Sequence, residues 1–179
     1  MRYGKDFNKK LIISISDGRQ IGQVKDLFLD DDLRMLTGIY VGSEGLIRRK
    51  SMLIPRESVV VFGIDAVLVK NAEVIKDSTE LTESEQWVRL SKLKGRPIDT
   101  PGGTKIGTVG DIIIGEEGNI TGLALSKVEV EGPIAEKGLV ERSTLIDAGS
   151  VDGVITIDLT KAEMGSPSPE VTQTPPVEE

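Results

Sequence analysis

The sequence predicts an all-β protein built as two tandem copies of one small β-barrel. Three observations carry that expectation. The first is an echo: Ile21-Gly22-Gln23-Val24-Lys25-Asp26-Leu27-Phe28-Leu29 returns 85 residues later as Ile106-Gly107-Thr108-Val109-Gly110-Asp111-Ile112-Ile113-Ile114. Four of the nine positions are identical, and three more exchange one large apolar residue for another. The second is that further blocks follow in the same order. Leu36-Thr37-Gly38-Ile39 matches Ile120-Thr121-Gly122-Leu123, and Ile64-Asp65-Ala66-Val67-Leu68 matches Val151-Asp152-Gly153-Val154-Ile155. Ordered blocks whose spacing varies only in the turns point to duplication, because surface turns tolerate insertions. The third is composition. Aromatics make up 3% of the residues and all hydrophobics 38%, so the core must rest on Val, Ile and Leu, which favour strands. Twenty glycines suit many short turns.

Each element follows from local chemistry. Leu11-Ile12-Ile13-Ser14-Ile15 is a β-favouring run, and Asp17-Gly18 is a hairpin turn pair. Residues 21–29 form a strand with apolar groups on both faces, as expected of a central strand or of one in a closed barrel. Asp30-Asp31-Asp32 breaks it; residues 35–41 and 48–54 are further strands around the Gly42–Gly45 turn, and 64–69 closes the copy. Residues 57–62 fit a helical turn or a strand equally well. Residues 72–93 are polar, charged and free of glycine. Thr82-Glu83-Ser84-Glu85 has the form of a capping box, and Trp87, Leu90 and Leu93 follow three apart. A short helix over about 83–92, docked on a barrel by its apolar edge, is expected there. The pattern restarts at Lys94 and departs from the first copy at the acidic, glycine-bearing stretch 128–141. The organisation predicted is a first copy at 1–72, a linker at 73–93, a second copy at 94–163 and a disordered, acidic, Pro-rich tail at 164–179.

The chain has no Cys and no His, which removes disulfides, zinc–thiolate sites and the commonest general base. A non-catalytic protein without cofactor or metal is therefore expected. The N-terminal residues carry no apolar run of the signal-peptide kind, and no stretch has the ~20 apolar residues that a bilayer span needs. A cytoplasmic protein is predicted. Residues 1–72 carry 12 Lys and Arg against 9 Asp and Glu, whereas 94–163 carry 7 against 12. The overall charge of −7 is a poor composition for direct nucleic-acid binding.

The order of strand, Asp/Gly or Gly/Gly turn, Ile-Gly-x-Val-x-Asp strand, acidic turn, x-Thr-Gly strand and a final strand after Gly63-Ile64-Asp65 or Ser150-Val151-Asp152 resembles the PRC-barrel family. That barrel occurs in the cytoplasmic part of the photosynthetic reaction-centre H subunit and in the C-terminal part of a ribosome maturation factor. The resemblance implies a binding and assembly module that docks on protein partners. A setting peripheral to a membrane-associated complex follows by analogy, with a ribosome-assembly or RNA-processing accessory acting through protein contacts as the alternative.

Six positions or short stretches draw attention as sites. Asp26 and Asp111 recur at the same strand position and read as structural carboxylates that accept hydrogen bonds where strands bend. Arg48-Arg49-Lys50, present in the first copy only, is either a solvated edge or a contact for an acidic partner, for anionic headgroups or for the acidic second copy. Trp87, the only tryptophan, is the remaining partner-binding candidate. Asp30 to Asp32 lack the alternation, Gly and distal Glu of a Ca²⁺ loop. Pro101-Gly102-Gly103-Thr104-Lys105 lacks the spacing of a phosphate-binding loop.

Overall fold

The structure is a computed structural model that describes residues 1–164. The expected tail falls outside the described residues except for Met164, which ends the helix Leu159–Met164.

Residues 1–164 are mostly β, in three open sheets. A four-stranded sheet runs Gln20–Gln23, Leu11–Ser14, Ala66–Val69, Val59–Phe62. A five-stranded sheet runs Val88–Arg89, Asp26–Leu29, Leu36–Glu44, Lys50–Pro55, Lys76–Asp77. A seven-stranded sheet runs Leu139–Glu141, Ile120–Val128, Lys105–Ile114, Pro97–Asp99, Ile155–Ile157, Leu145–Asp147, with Arg2–Tyr3 paired to Lys105–Ile114. No sheet closes on itself among the described residues. Two copies of one strand order are nonetheless plain. In each, the first strand is antiparallel to the repeated strand and parallel to the last.

The copies differ at one corner. Val24 donates to the Lys10 carbonyl (2.9 Å) and accepts from Lys9 N–H (2.8 Å). Val109 repeats this with Arg96 (2.9 Å) and Gly95 (2.7 Å). In the second copy Gly110 follows, where a Cβ would lie 2.8 Å from the Ser126 nitrogen, so the neighbouring strand closes on the corner and Lys105–Ile114 runs through it. Lys25 holds that place in the first copy, and the expected 21–29 strand divides into Gln20–Gln23 and Asp26–Leu29. One copy thus spreads over two sheets and the other over one.

The helix expected at 83–92 is not formed. Thr82–Gln86 is a 3₁₀ turn, Val88–Arg89 is a strand, and only Leu90–Leu93 is α-helical. The reason is tertiary: Val88 and Arg89 are extended because they pair with Leu29 and Phe28. The capping box also lies earlier, at Asp77, whose carboxylate accepts from Thr79 N–H (2.9 Å) while Glu80 reaches back to Asp77 N–H (3.4 Å). Residues 57–62 resolve into a 3₁₀ turn, Arg56–Ser58, and a strand, Val59–Phe62.

One apolar core serves both copies. Phe7, Ile12, Leu27, Leu36, Ile39 and Ile54 are buried in the same cluster as Leu93, Ile98, Ile106, Ile112, Leu123 and Ile155. Leu90 and Leu93, expected to dock outside a barrel, lie inside this cluster.

Candidate interaction surface

The seam between the copies is built from reciprocal bonds. Arg2–Tyr3, just ahead of the first copy's strands, pairs with Ile114 and Ile113 of the second. Val88–Arg89, just ahead of the second copy's strands, pairs with Leu29 and Phe28 of the first. Leu36 N–H donates to the Gly118 carbonyl (2.8 Å), and Ile120 N–H donates to the Arg34 carbonyl (2.7 Å). Met35 and Asn119 face each other as a bridge between them. Pairs of this form, in which i meets j and j meets i, are the signature of a twofold interface, here within one chain.

The two repeated carboxylates belong to that seam. Asp111, buried, accepts from Ile112 N–H (2.8 Å) and from Lys5 N–H (3.0 Å). Asp26 accepts from Leu27 N–H (2.9 Å), from the Arg89 Nε–H (3.1 Å) and, at longer range, from Ser91 N–H (3.4 Å). Each therefore ties its own strand to the lead-in segment of the other copy. A cleft of about 250 Å³ opens beside Asp26, with Lys5, Lys25, Arg89 and Lys94 around it.

Two further residues, not anticipated from the sequence, hold the seam. Arg142 donates from Nε to the Leu33 carbonyl (2.9 Å) and from Nη2 to the Asp32 carbonyl (2.9 Å). Arg56 donates from Nη2 to the Glu117 carbonyl. Each arginine opens the 3₁₀ turn after the strand that pairs with its copy's Thr-Gly strand, and grips the acidic turn of the other copy. The signal was present: Pro55-Arg56-Glu57-Ser58 aligns with Glu141-Arg142-Ser143-Thr144. It is hidden by the insertion before Glu141. The Asp30 carboxylate is committed locally, accepting from Arg34 (2.6 Å) and Met35 (2.9 Å) N–H groups.

The basic run Arg48-Arg49-Lys50 is divided by the structure. Arg48 and Arg49 lie in the tip that joins Leu36–Glu44 to Lys50–Pro55, and are exposed. Lys50 begins the returning strand and pairs with the buried Asp77 at 2.8 Å. That hydrogen bond holds the Asp77 carboxyl below the usual carboxylate range, with help from Thr79 N–H, and raises Lys50 above the usual lysine value.

Trp87 is half-buried and leans on Phe28, ring centroids 5.8 Å apart; Phe28 also meets Tyr40 edge-on at 6.2 Å. The Arg89 guanidinium lies 4.0 Å over the Tyr40 ring. Of the sequence-derived candidates, Asp26 and Trp87 thus come together around Phe28 and Arg89. The basic tip stands apart from them, and Asp111 lies across the seam.

Large apolar side chains stay outside the core on both copies. Val60 and Val61 are exposed on Val59–Phe62, one edge strand of the four-stranded sheet, beside a groove shared with Glu116 and Glu117. Ile146 is exposed on the matching free edge, Leu145–Asp147, beside a groove shared with Asp32 and Arg34. No helix among the described residues is long and apolar enough to cross a membrane.

None of the curated proteins matches the chain. The model of one family, the PRC-barrel domain, matches it twice, over residues 1–76 and 86–164. The second match begins just before Trp87, so it includes the lead-in strand Val88–Arg89 as the first includes Arg2–Tyr3. With two tandem matches over most of its length, the chain belongs to the PRC-barrel family.

Proposed function

We propose that the protein is a non-catalytic interaction and assembly module whose partners are proteins of a peripheral, membrane-associated complex. Its family supports an interaction or assembly role. The observation that carries the reading is the pair of free sheet edges, Val59–Phe62 and Leu145–Asp147, which keep Val60, Val61 and Ile146 in solvent. Unpaired edges with apolar side chains are the surfaces on which an extended partner segment adds a strand. A chain without His or Cys favours binding over chemistry. Arg48, Arg49 and Trp87 are the further candidate contacts.

The test is isolation of the tagged full chain under gentle conditions, alongside a V60E/V61E variant. A stoichiometric protein complex that the variant loses, with its melting curve unchanged, is the expected result. A complex formed equally by the variant, or a chain that always elutes alone, overturns the reading.

A further inference from the structure

We infer that the hairpin tip Leu46-Ile47-Arg48-Arg49 is a bilayer-insertion loop that seats Leu46 and Ile47 at the headgroup–acyl boundary of an anionic membrane, with Arg48 and Arg49 on lipid phosphates. The inference rests on the proposed membrane-associated setting and adds direct lipid contact to it.

Leu46 and Ile47 are fully exposed, and they adjoin two arginines that make no ion pair with any described residue. The base beneath them is fixed: Glu44 faces Lys50 across the ladder, Ser43 faces Ser51, and Lys50 is held by Asp77. The tip is thus a short apolar and basic projection on a rigid stem.

The other copy shows that this exposure is not imposed by the fold. After the equivalent strand, Ile120–Val128, the chain makes its own excursion through Glu129, Val130 and Glu131 into the helix Pro133–Lys137. There Val130 packs on the core and Ile134 is buried. The same place in the repeat therefore buries its apolar residues and carries acids in one copy, and projects apolar residues beside bases in the other.

Size and charge decide the occupant. A four-residue tip falls far short of the ~800 Å² per partner of a stable protein interface. A bilayer surface needs no shape complementarity, and it holds segments that combine apolar insertion with basic charge. Arg side chains also let their charge stay with phosphate while the neighbouring chains enter. Residues 1–72 carry 12 Lys and Arg against 9 Asp and Glu, so the tip sits on the copy that an anionic surface attracts.

The test is flotation of the full chain with phosphatidylglycerol/phosphatidylcholine vesicles and with pure phosphatidylcholine vesicles. Wild type should float with the anionic vesicles at low salt and bind weakly to the neutral ones. R48E/R49E and L46S/I47S should each lower the bound fraction about tenfold without changing the melting temperature, which their exposure permits. In an I47W variant, tryptophan emission should shift to the blue on adding anionic vesicles. Wild type left unbound by anionic vesicles overturns the inference. So does L46S/I47S binding like wild type with no shift in I47W, because that is charge attraction without insertion. A protein complex that survives in L46S/I47S would leave the assembly role standing whichever way the vesicles decide.

Discussion

The seam and the rims of the two copies have diverged to different degrees. Along the seam, bonds recur almost one for one. Leu36 to Gly118 is answered by Ile120 to Arg34, Arg142 by Arg56, and Asp111 on Lys5 by Asp26 on the Arg89–Ser91 segment. At the rims, Leu46 and Ile47 stand in solvent where Val130 and Ile134 are covered. The difference teaches where the chain was free to change. Seam groups that lose water must keep a partner, and an orphaned buried donor or acceptor costs more than the bond adds. A rim loop surrenders nothing when its side chains are replaced, so distinct roles accumulate there.

The sharpest way to break the comparison is to truncate equivalent rims. Ile134→Ala should destabilise the fold by about 2–4 kcal/mol, the cost of a cavity under a buried side chain. Leu46→Ala should stay within about 0.5 kcal/mol. Urea unfolding curves check both, and equal losses would remove the contrast.

The repeated glycines give the next effect. A Cβ on Gly107 would lie 2.1 Å from the Lys127 carbonyl oxygen, whereas one on Gly22 meets nothing within 4 Å. Gly107→Ala should therefore cost about 1–3 kcal/mol by overpacking, and Gly22→Ala should be neutral or slightly stabilising. The ground is pairing: Gly107 has neighbours on both sides, Ile98 and Val128, while Gly22 lies on a sheet-edge strand.

The arginine clamps test whether the seam is symmetric in energy as well as geometry. Arg142→Ala removes two bonds to carbonyls and should cost about 1–2 kcal/mol. Arg56→Ala removes one and should cost less. A double variant whose loss exceeds the sum would show the two ends of the seam to be coupled.

The smallest effect is electrostatic and separates Lys50 from its neighbours in the basic run. Asp77 is held below the usual carboxylate range, so its contribution is full above its unfolded pKa and disappears as the pH falls through the lower, folded one. Lys50 is raised, so its contribution persists through neutral pH and is lost only above the normal lysine range. Asp77→Asn should flatten the fall in melting temperature below about pH 4, while R48E/R49E should leave that fall intact.

Much of the fold was legible because its signal is local and repeated. Ile-Gly-x-Val-x-Asp, the Thr-Gly strand and the closing strand pair announce two copies before any contact is known. The Asp26 and Asp111 positions were legible as sites of a carboxylate, but their donors were not, since Lys5 and Ser91 lie 106 and 65 residues away. The helix expected at 83–92 failed for a similar reason. Its apolar spacing is genuine, but Val88 and Arg89 gain a ladder with Phe28 and Leu29 that local propensity cannot anticipate. In the basic run, three adjacent cations looked alike until Asp77 was seen to claim one of them.

By itself, then, the sequence determined the β class, the duplication, the exclusion of thiol and imidazole chemistry, and the positions at which the copies differ. These depend on composition and on spacing along the chain. Only the tertiary structure decided that the copies share one core, exchange their lead-in strands and are locked by Arg56 and Arg142, and that Leu46 and Ile47 are left in solvent. Those outcomes are set by which distant backbone groups and apolar surfaces find each other first-hand in space, and a pattern of period two carries no information about that.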